Sequence, residues 1–277
     1  MQNEQISNEH PKLSALIEDA RQVVDGRGCL GSVKDRVRDV ITSGELQSVV
    51  TRALQQIASD PAANPALMQQ ENLVLCNDFN GLLLAVGTTR FIPDSPIYTS
   101  SSDALIGAAS ASGFCYRRYS LSESYDNSVF DPNVAILAGE HGSCPFGDAV
   151  LFPQKAASEY RDNGSLVLKV IDQRSADCAM WEFDRHTRRA RRAYAADAGG
   201  TTLRYLLRFL SEFGNATSVD AARRLLSHPH HYIRWDAVKA IGMLDAGELG
   251  GVLHTMLDDP HPHIRSASQK MLQQIER

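Results

Sequence analysis

Two groups of side chains in this sequence have the type and spacing for chemistry. His228, His230, His231, His261 and His263 fall in two equivalent turns near the C-terminus. Imidazole is a common ligand of transition metals, so a metal site there is one reading. Solvated turn residues, repeated because the surrounding motif repeats, are the favoured one. Arg185, Arg188, Arg189, Arg191 and Arg192 form a dense cationic run, which could hold phosphate or nucleic acid. On a strand, however, Arg188 and Arg192 face one way and Arg189 and Arg191 the other. No aromatic residues interleave to stack bases. A solvated hairpin, or ion pairing with acidic helices, is expected instead, with nucleic acid not expected as a partner. The GxSxG, P-loop and Rossmann fingerprints are missing, and Gly139–Gly142 and Gly199-Gly200 lack a strand–helix phosphate context.

The bulk properties are those of an ordinary globular chain: 277 residues, 43% hydrophobic, 22% charged. A net charge of -5 argues against whole-molecule attraction to nucleic acid or anionic membrane. The N-terminal stretch shows no basic region followed by an apolar one, and no apolar run reaches spanning length. Cys29, Cys76, Cys115, Cys144 and Cys178 are scattered, odd in number and without a CxxC pair. Neither a disulfide framework nor a structural zinc site is expected. Reduced thiols in a cytoplasmic protein are the simplest reading.

These residues must be positioned by three kinds of element. Residues 1–60 read as helical. Leu13, Leu16, Ile17, Ala20, Val23 and Val24 recur on one stripe, Gly26-Arg27-Gly28 punctuates it, and Val33 to Ile41 and Leu46 to Ile57 mark two more helices. Asp60 to Pro65 is a breaker-rich linker. Residues 72–196 carry short apolar runs, among them Leu73–Cys76, Leu82–Val86, Ala104–Gly107, Phe114–Tyr119, Val134–Leu137, Ala149–Phe152 and Leu166–Val170. Such runs, broken by turn residues, predict an all-β sandwich or barrel. A last hairpin follows Trp181-Glu182-Phe183, and Gly199-Gly200 closes the β region. Residues 201–277 return to helix, with Leu203, Leu206, Leu207 and Leu210 on one stripe and a stop at Gly214. The fold class is α+β.

The last sixty or so residues repeat. Leu226, Pro229, His230, Ile233, Arg234 and Lys239 recur identically as Leu257, Pro260, His261, Ile264, Arg265 and Lys270, each pair 31 residues apart. Apolar positions stay in step. Pro229 and Pro260 end one helix, Ile233 and Ile264 begin the inner face of the next, and Ala237 and Ser268 are small enough for close approach. The motif resembles HEAT-like repeats, which implies an α-hairpin solenoid with a protein-binding role. Tyr232, Arg234, Trp235, His263 and Arg265 are the candidate interaction surface. Two units are few for a free-standing solenoid, so they are expected to dock on the Thr201–Phe213 helix, with the barrel a further candidate support.

Leu82 to Val86, then Pro96-Ile97-Tyr98-Thr99-Ser100, then Ala104-Leu105-Ile106-Gly107 resemble the first half of a cupin, in particular the cysteine-dioxygenase-like cupins. Phe146-Gly147-Asp148-Ala149-Val150-Leu151-Phe152-Pro153 resembles the second cupin motif. That family binds iron with three histidines. The matching positions here are Tyr98, Ser100 and Glu159, and the β region contains only His141 and His186. No metal is therefore expected in the barrel. Tyr98, Ser100, His141 and Glu159 are the pocket candidates for a small ligand. His141, in Gly139-Glu140-His141-Gly142, is favoured as a loop residue over an acid/base group, and Asp148 as a turn cap.

The expected function is a non-catalytic ligand-binding or protein-interaction protein, an adaptor or accessory, with no cofactor. A protein partner would bind through the repeats, a small molecule is a further candidate in the barrel, and no membrane is involved. The alternative is a cupin-class enzyme, either an oxygenase with atypical iron ligands or a metal-independent catalyst using Glu159, Tyr98 or His141.

Overall fold

The computed structural model describes residues 9–59, 68–69, 72–78, 81–122, 129–174, 179–195 and 198–275. The Asp60–Pro65 linker, the Phe79-Asn80 turn and Cys178 lie outside the described residues. The chain divides into two compact units that change over near Arg192–Ala193. The first holds the N-terminal helices and nearly all of the strands, the second the C-terminal helices.

In the first unit, α1 (Pro11–Gln22), α2 (Lys34–Thr42) and α3 (Glu45–Ser59) form from the expected apolar stripes. Leu13, Leu16, Ile17 and Ala20 are buried on α1, and Val37, Val40 and Ile41 on α2. Gly26 takes a φ of 88°, a left-handed conformation that costs glycine little, and turns the chain after α1. No side chain of its own caps α1. Glu45, at the start of α3, does so instead, its two carboxylate oxygens accepting the Lys12 and Leu13 amides at 3.1 and 2.9 Å.

Twelve described strands follow: β1 (Met68–Gln69), β2 (Asn72–Asn77), β3 (Leu82–Thr88), β4 (Ile97–Thr99), β5 (Asp103–Ala108), β6 (Phe114–Tyr119), β7 (Glu140–Cys144), β8 (Ala149–Phe152), β9 (Ala157–Tyr160), β10 (Leu166–Asp172), β11 (Ala179–Phe183) and β12 (Ala190–Ala195). They make two six-stranded sheets, ordered β1-β2-β3-β10-β5-β8 and β12-β11-β4-β9-β6-β7. Within these, β3 to β10 are dealt between the sheets as 3-10-5-8 and 4-9-6-7, the double Greek-key order of a jelly roll, an architecture that includes cupins. The first sheet buries Leu73, Leu75, Leu82, Leu84, Val86, Leu105, Leu168 and Val170 in one cluster with the α1–α3 stripes. Its alternate residues, Ile106, Ala108, Phe152 and Val167, join a different cluster containing Phe114 of the second sheet. The helices thus cover one face of the first sheet and the second sheet lies against the other.

Three local expectations change. Glu140–Cys144 is a strand, so His141 sits on β7 rather than in a turn. Its sequence, EHGSC, is polar and borders the sheet edge, where apolar alternation is not required. Val134–Leu137, the apolar run, makes only isolated bridges to Leu121 and Arg189. Gly199-Gly200 lies inside the first turn of the next helix rather than in a break.

In the second unit, α4 (Ala198–Phe213) is followed by α5 (Val219–Arg223), α6 (His231–Leu244), α7 (Ala246–Met256) and α8 (Pro262–Ile275). From α5 to α8 successive helices pack together, and α4 packs on α6. Leu207 is buried with Ile233, Ala237 and Ile241, while Leu203 and Leu210 line the same core. Leu206, expected on that stripe, is 57% exposed. Ile233, Ile264, Ala237 and Ser268 are all buried, so the recurring positions form the inner faces of two helical hairpins that use α4 as support.

Candidate functional site

Side-chain parity decides what the two sheets enclose. On β6, Phe114, Tyr116 and Arg118 point towards the first sheet. Phe114 meets Tyr160 of β9 at 5.7 Å between ring centroids, and Tyr116 meets Phe152 of β8 at 5.4 Å, both edge to face. Arg118 lies over the Tyr116 and Phe152 rings at 5.2 and 5.4 Å and donates to the Leu151 carbonyl. Gly142 is required here, because a Cβ would stand 2.3 Å from the Tyr116 ring. This part of the inter-sheet space is packed with rings.

Register assigns the four pocket candidates to faces. Tyr98 pairs with Ser158, and Ser158 with Arg118, so Tyr98 shares the inter-sheet face. Glu159 pairs with Arg117, and Arg117 with His141, so these three take the opposite face. Tyr98 and Glu159 therefore point away from each other. Ser100 closes a local turn, its hydroxyl donating to Ser102 O at 2.5 Å. His141 is exposed beside Arg117.

Glu159 is the hub of an ion cluster. Its Oε1 accepts from the Tyr119 hydroxyl at 2.7 Å and from Arg161 Nη1 at 3.2 Å, and its Oε2 accepts from Arg185 Nη2 at 2.5 Å. Burial alone would raise its pKa, but Arg185, Tyr119 and Arg161 outweigh that and hold it below the usual carboxylate range. Arg185 also donates to Ser95 O, so the cluster ties β9 to the β11–β12 turn.

The residue that sequence reasoning missed is Glu182, which is fully buried. The Tyr98 hydroxyl donates to its Oε2 at 3.4 Å and Arg192 Nε at 3.0 Å, with Arg191 at 3.9 Å. Burial and the Glu182 charge both raise the Tyr98 pKa. Alternation puts Glu182 on the face opposite to Trp181 and Phe183, which reads as solvent. The nearby cations were the available signal. Arg185, Arg191 and Arg192 thus pair with strand carboxylates, Glu159 and Glu182, rather than with helices, while Arg188 and Arg189 are exposed on the hairpin. Asp148 does cap its turn, accepting the Ala149 amide at 2.8 Å and pairing with Lys34 and Arg38.

In the helical unit the five surface candidates separate. Arg234 is buried, and its guanidinium makes two bonds to Asp259, at 2.7 and 2.6 Å, besides donating to the His228 and Pro229 carbonyls. Arg265 repeats the carbonyl contacts with Asp259 and Pro260 but is exposed. Tyr232 and Trp235 are half-buried against the core, and His263 is exposed. His261 is buried and its ring stacks on His231, with centroids 3.7 Å apart. Burial, then the neighbouring His261 and His263, push the His231 pKa down to about 4. His231 and His261 are therefore not solvated turn residues, whereas His263 is exposed.

The same unit carries an exposed apolar strip. Tyr205, Leu206, Phe209 and Phe213 on α4 are 57–71% exposed, and the Phe209 and Phe213 rings stand 4.8 Å apart. Beside them a groove of about 470 Å³ runs between α4 and α6, floored by Leu207 and Ala240 and rimmed by Met243, Arg204, Arg208, Lys239 and Asp236.

No protein-family model and no curated protein matches the chain. Partial structural likenesses exist. Fe(II)-HppE with the substrate (S)-1-HPP is 9% identical over 36% of this chain and 48% of its own, with a TM-score of 0.25. Hydroquinone 1,2-dioxygenase from Sphingomonas sp. TTNP3 is 16% identical over 42% of this chain and 72% of its own, with a TM-score of 0.27. Protein NMB1881 from Neisseria meningitidis is 13% identical over 42% and 95%, with a TM-score of 0.24. This chain thus spans about half the length of the HppE chain, and no functional reading rests on these likenesses.

Proposed function

We propose that this chain is a non-catalytic protein-interaction protein, an adaptor or accessory subunit, in which a cupin-like jelly roll is the scaffold and the helix α4, packed on HEAT-like hairpins, presents the binding surface. The observation that carries this reading is the α4 strip. Contiguous exposed apolar surface on a folded chain marks an interaction site. Tyr205, Leu206, Phe209 and Phe213 follow helical spacing beside a groove, which suits an amphipathic helix laid along it. Of the three cations in the groove lining, Arg204 and Lys239 share Asp236 and Arg208 pairs with Glu212, which leaves the rim net positive and suited to a partner helix acidic on its flank. Among the described residues no helix is long and apolar enough to cross a membrane; a cytoplasmic location, no cofactor and no nucleic-acid partner complete the proposal.

The test uses the full chain. Co-isolating proteins are identified, produced separately and titrated against it. Saturable binding that weakens at least tenfold on Phe209→Ser with Phe213→Ser, at unchanged circular dichroism, supports the proposal. Binding indifferent to both substitutions overturns it.

One observation favours a second reading. The Tyr98 hydroxyl on the fully buried Glu182 carboxylate, closed by Arg192, is a polar constellation on the inter-sheet face. It suits a small polar ligand or a metal-independent catalyst. The iron oxygenase alternative has less support, since Tyr98 and Glu159, two of the three matching positions, point to opposite faces.

A further inference from the structure

We infer that His231, His261 and His263 form a binding site for one borderline transition cation, Zn(II) or a neighbour in its row, at the junction of the two helical hairpins. One ligand nitrogen of each residue lies within 4.8 Å of the others. Three imidazoles are a donor set that suits zinc, copper and nickel. In a three-histidine site the fourth position stays open for water.

The fold brings these residues together by a definite route. His231 opens α6, and Arg234 lies on the first turn of the same helix. Arg234 grips Asp259, whose Oδ1 also accepts the His261 amide at 2.7 Å. The ion pair that locks the hairpins together therefore sets His261 against His231. His263 follows at the start of α8, its amide donating to His261 Nδ1 at 3.2 Å. Asp259 thus fixes the His261 backbone through its amide, and Arg234 holds Asp259 in place.

Geometry also states what binding requires. Zinc–nitrogen bonds of about 2.0–2.1 Å place tetrahedral donors ~3.4 Å apart, so nitrogens that lie within 4.8 Å of one another must draw together by at most roughly 1.4 Å. The exposed His263 side chain has room to swing inward. The stacked His231 and His261 rings, 5° from parallel, must tilt to aim their in-plane lone pairs at one point. If His261 binds through Nδ1, it releases the His263 amide.

The experiment uses the full chain without an affinity tag, stripped with chelator, and Zn(II) or Co(II) alone as the probe. Calorimetry should show one equivalent bound in the micromolar range or tighter. Co(II) should give the intense visible absorption of a four-coordinate site, and Zn(II) should raise the melting temperature. His263→Ala and His261→Ala should each weaken binding at least tenfold, whereas His230→Ala, outside the trio, should leave it unchanged. If His261→Ala unfolds the protein, the exposed His263→Ala decides alone. Absence of uptake, or uptake indifferent to His263→Ala, overturns the inference.

Discussion

A buried guanidinium is tolerated only when its donors are matched, and Arg234 meets that condition. It makes two bonds to Asp259 and two to turn carbonyls. Removing one member of a buried pair leaves the other uncompensated, at a cost of about 3–5 kcal/mol. Arg265 holds the equivalent carbonyls in the next turn, but no carboxylate among the described residues joins them and it is exposed. Its removal should cost about 1 kcal/mol. Urea unfolding of Arg234→Ala and Arg265→Ala, followed by the circular dichroism of the helices, separates the two. Equal losses would contradict the assignment of Arg234 as the lock between hairpins. The recurrence of arginine was legible in the sequence, but its purpose was not. Asp259 lies 25 residues away, and its counterpart in the first repeat is His228, so the pair is made once. Tyr98 and Glu159 show the same limit. Each was a pocket candidate by its matching position, but only the register, Tyr98 with Ser158 and Glu159 with Arg117, reveals that they face apart.

At the scale of elements, apolar periodicity identified the helices and most strands, because burial on one face imposes it. It failed where burial is absent or two-sided. The edge strand β7 is polar, and Leu206 on α4 belongs to an exposed strip rather than the core. Close approach of elements was also hidden. Gly107 of β5 lies beneath α2, where an added Cβ would stand 2.4 Å from Val37 and 2.7 Å from Ile41. Val37 is fully buried and branched, with little freedom to retreat. Gly107→Ala should therefore destabilise the first unit by roughly 1–3 kcal/mol. Gly250 in α7 is the opposite case, with nothing within 4 Å of an added Cβ. Gly250→Ala should stabilise by up to about 1 kcal/mol, through helix propensity alone. Thermal melts of the two variants should move in opposite directions; a shift in the same direction would show that the sheet–helix contact at Gly107 is not close.

On the scale of the whole molecule, the two units can be read separately because each has one tryptophan. Trp181 is fully buried in the sheets and Trp235 packs in the helical core. In a Trp235→Phe variant, fluorescence reports the sheet unit alone. Three carboxylates among the described residues of that unit have pKa values held below the ordinary carboxylate range: Glu159, where arginine contacts and the Tyr119 hydroxyl outweigh burial; Asp148, chiefly through Lys34; and Asp184, at the surface, chiefly through the Thr187 amide. A carboxylate with a depressed folded-state pKa contributes stability above its unfolded pKa. That contribution is lost as pH falls through the folded value. The urea midpoint read by Trp181 should hold nearly level from pH 7 to about 5 and then fall steeply with acid. Glu159→Gln should lower the midpoint at neutral pH and flatten the acid slope, because it removes both the ion cluster and its titration. An unchanged acid slope in Glu159→Gln would place the acid sensitivity of the sheet unit elsewhere. It would also remove the case that the β9 carboxylate is held for architecture, and reopen Glu159 as a group available to a ligand.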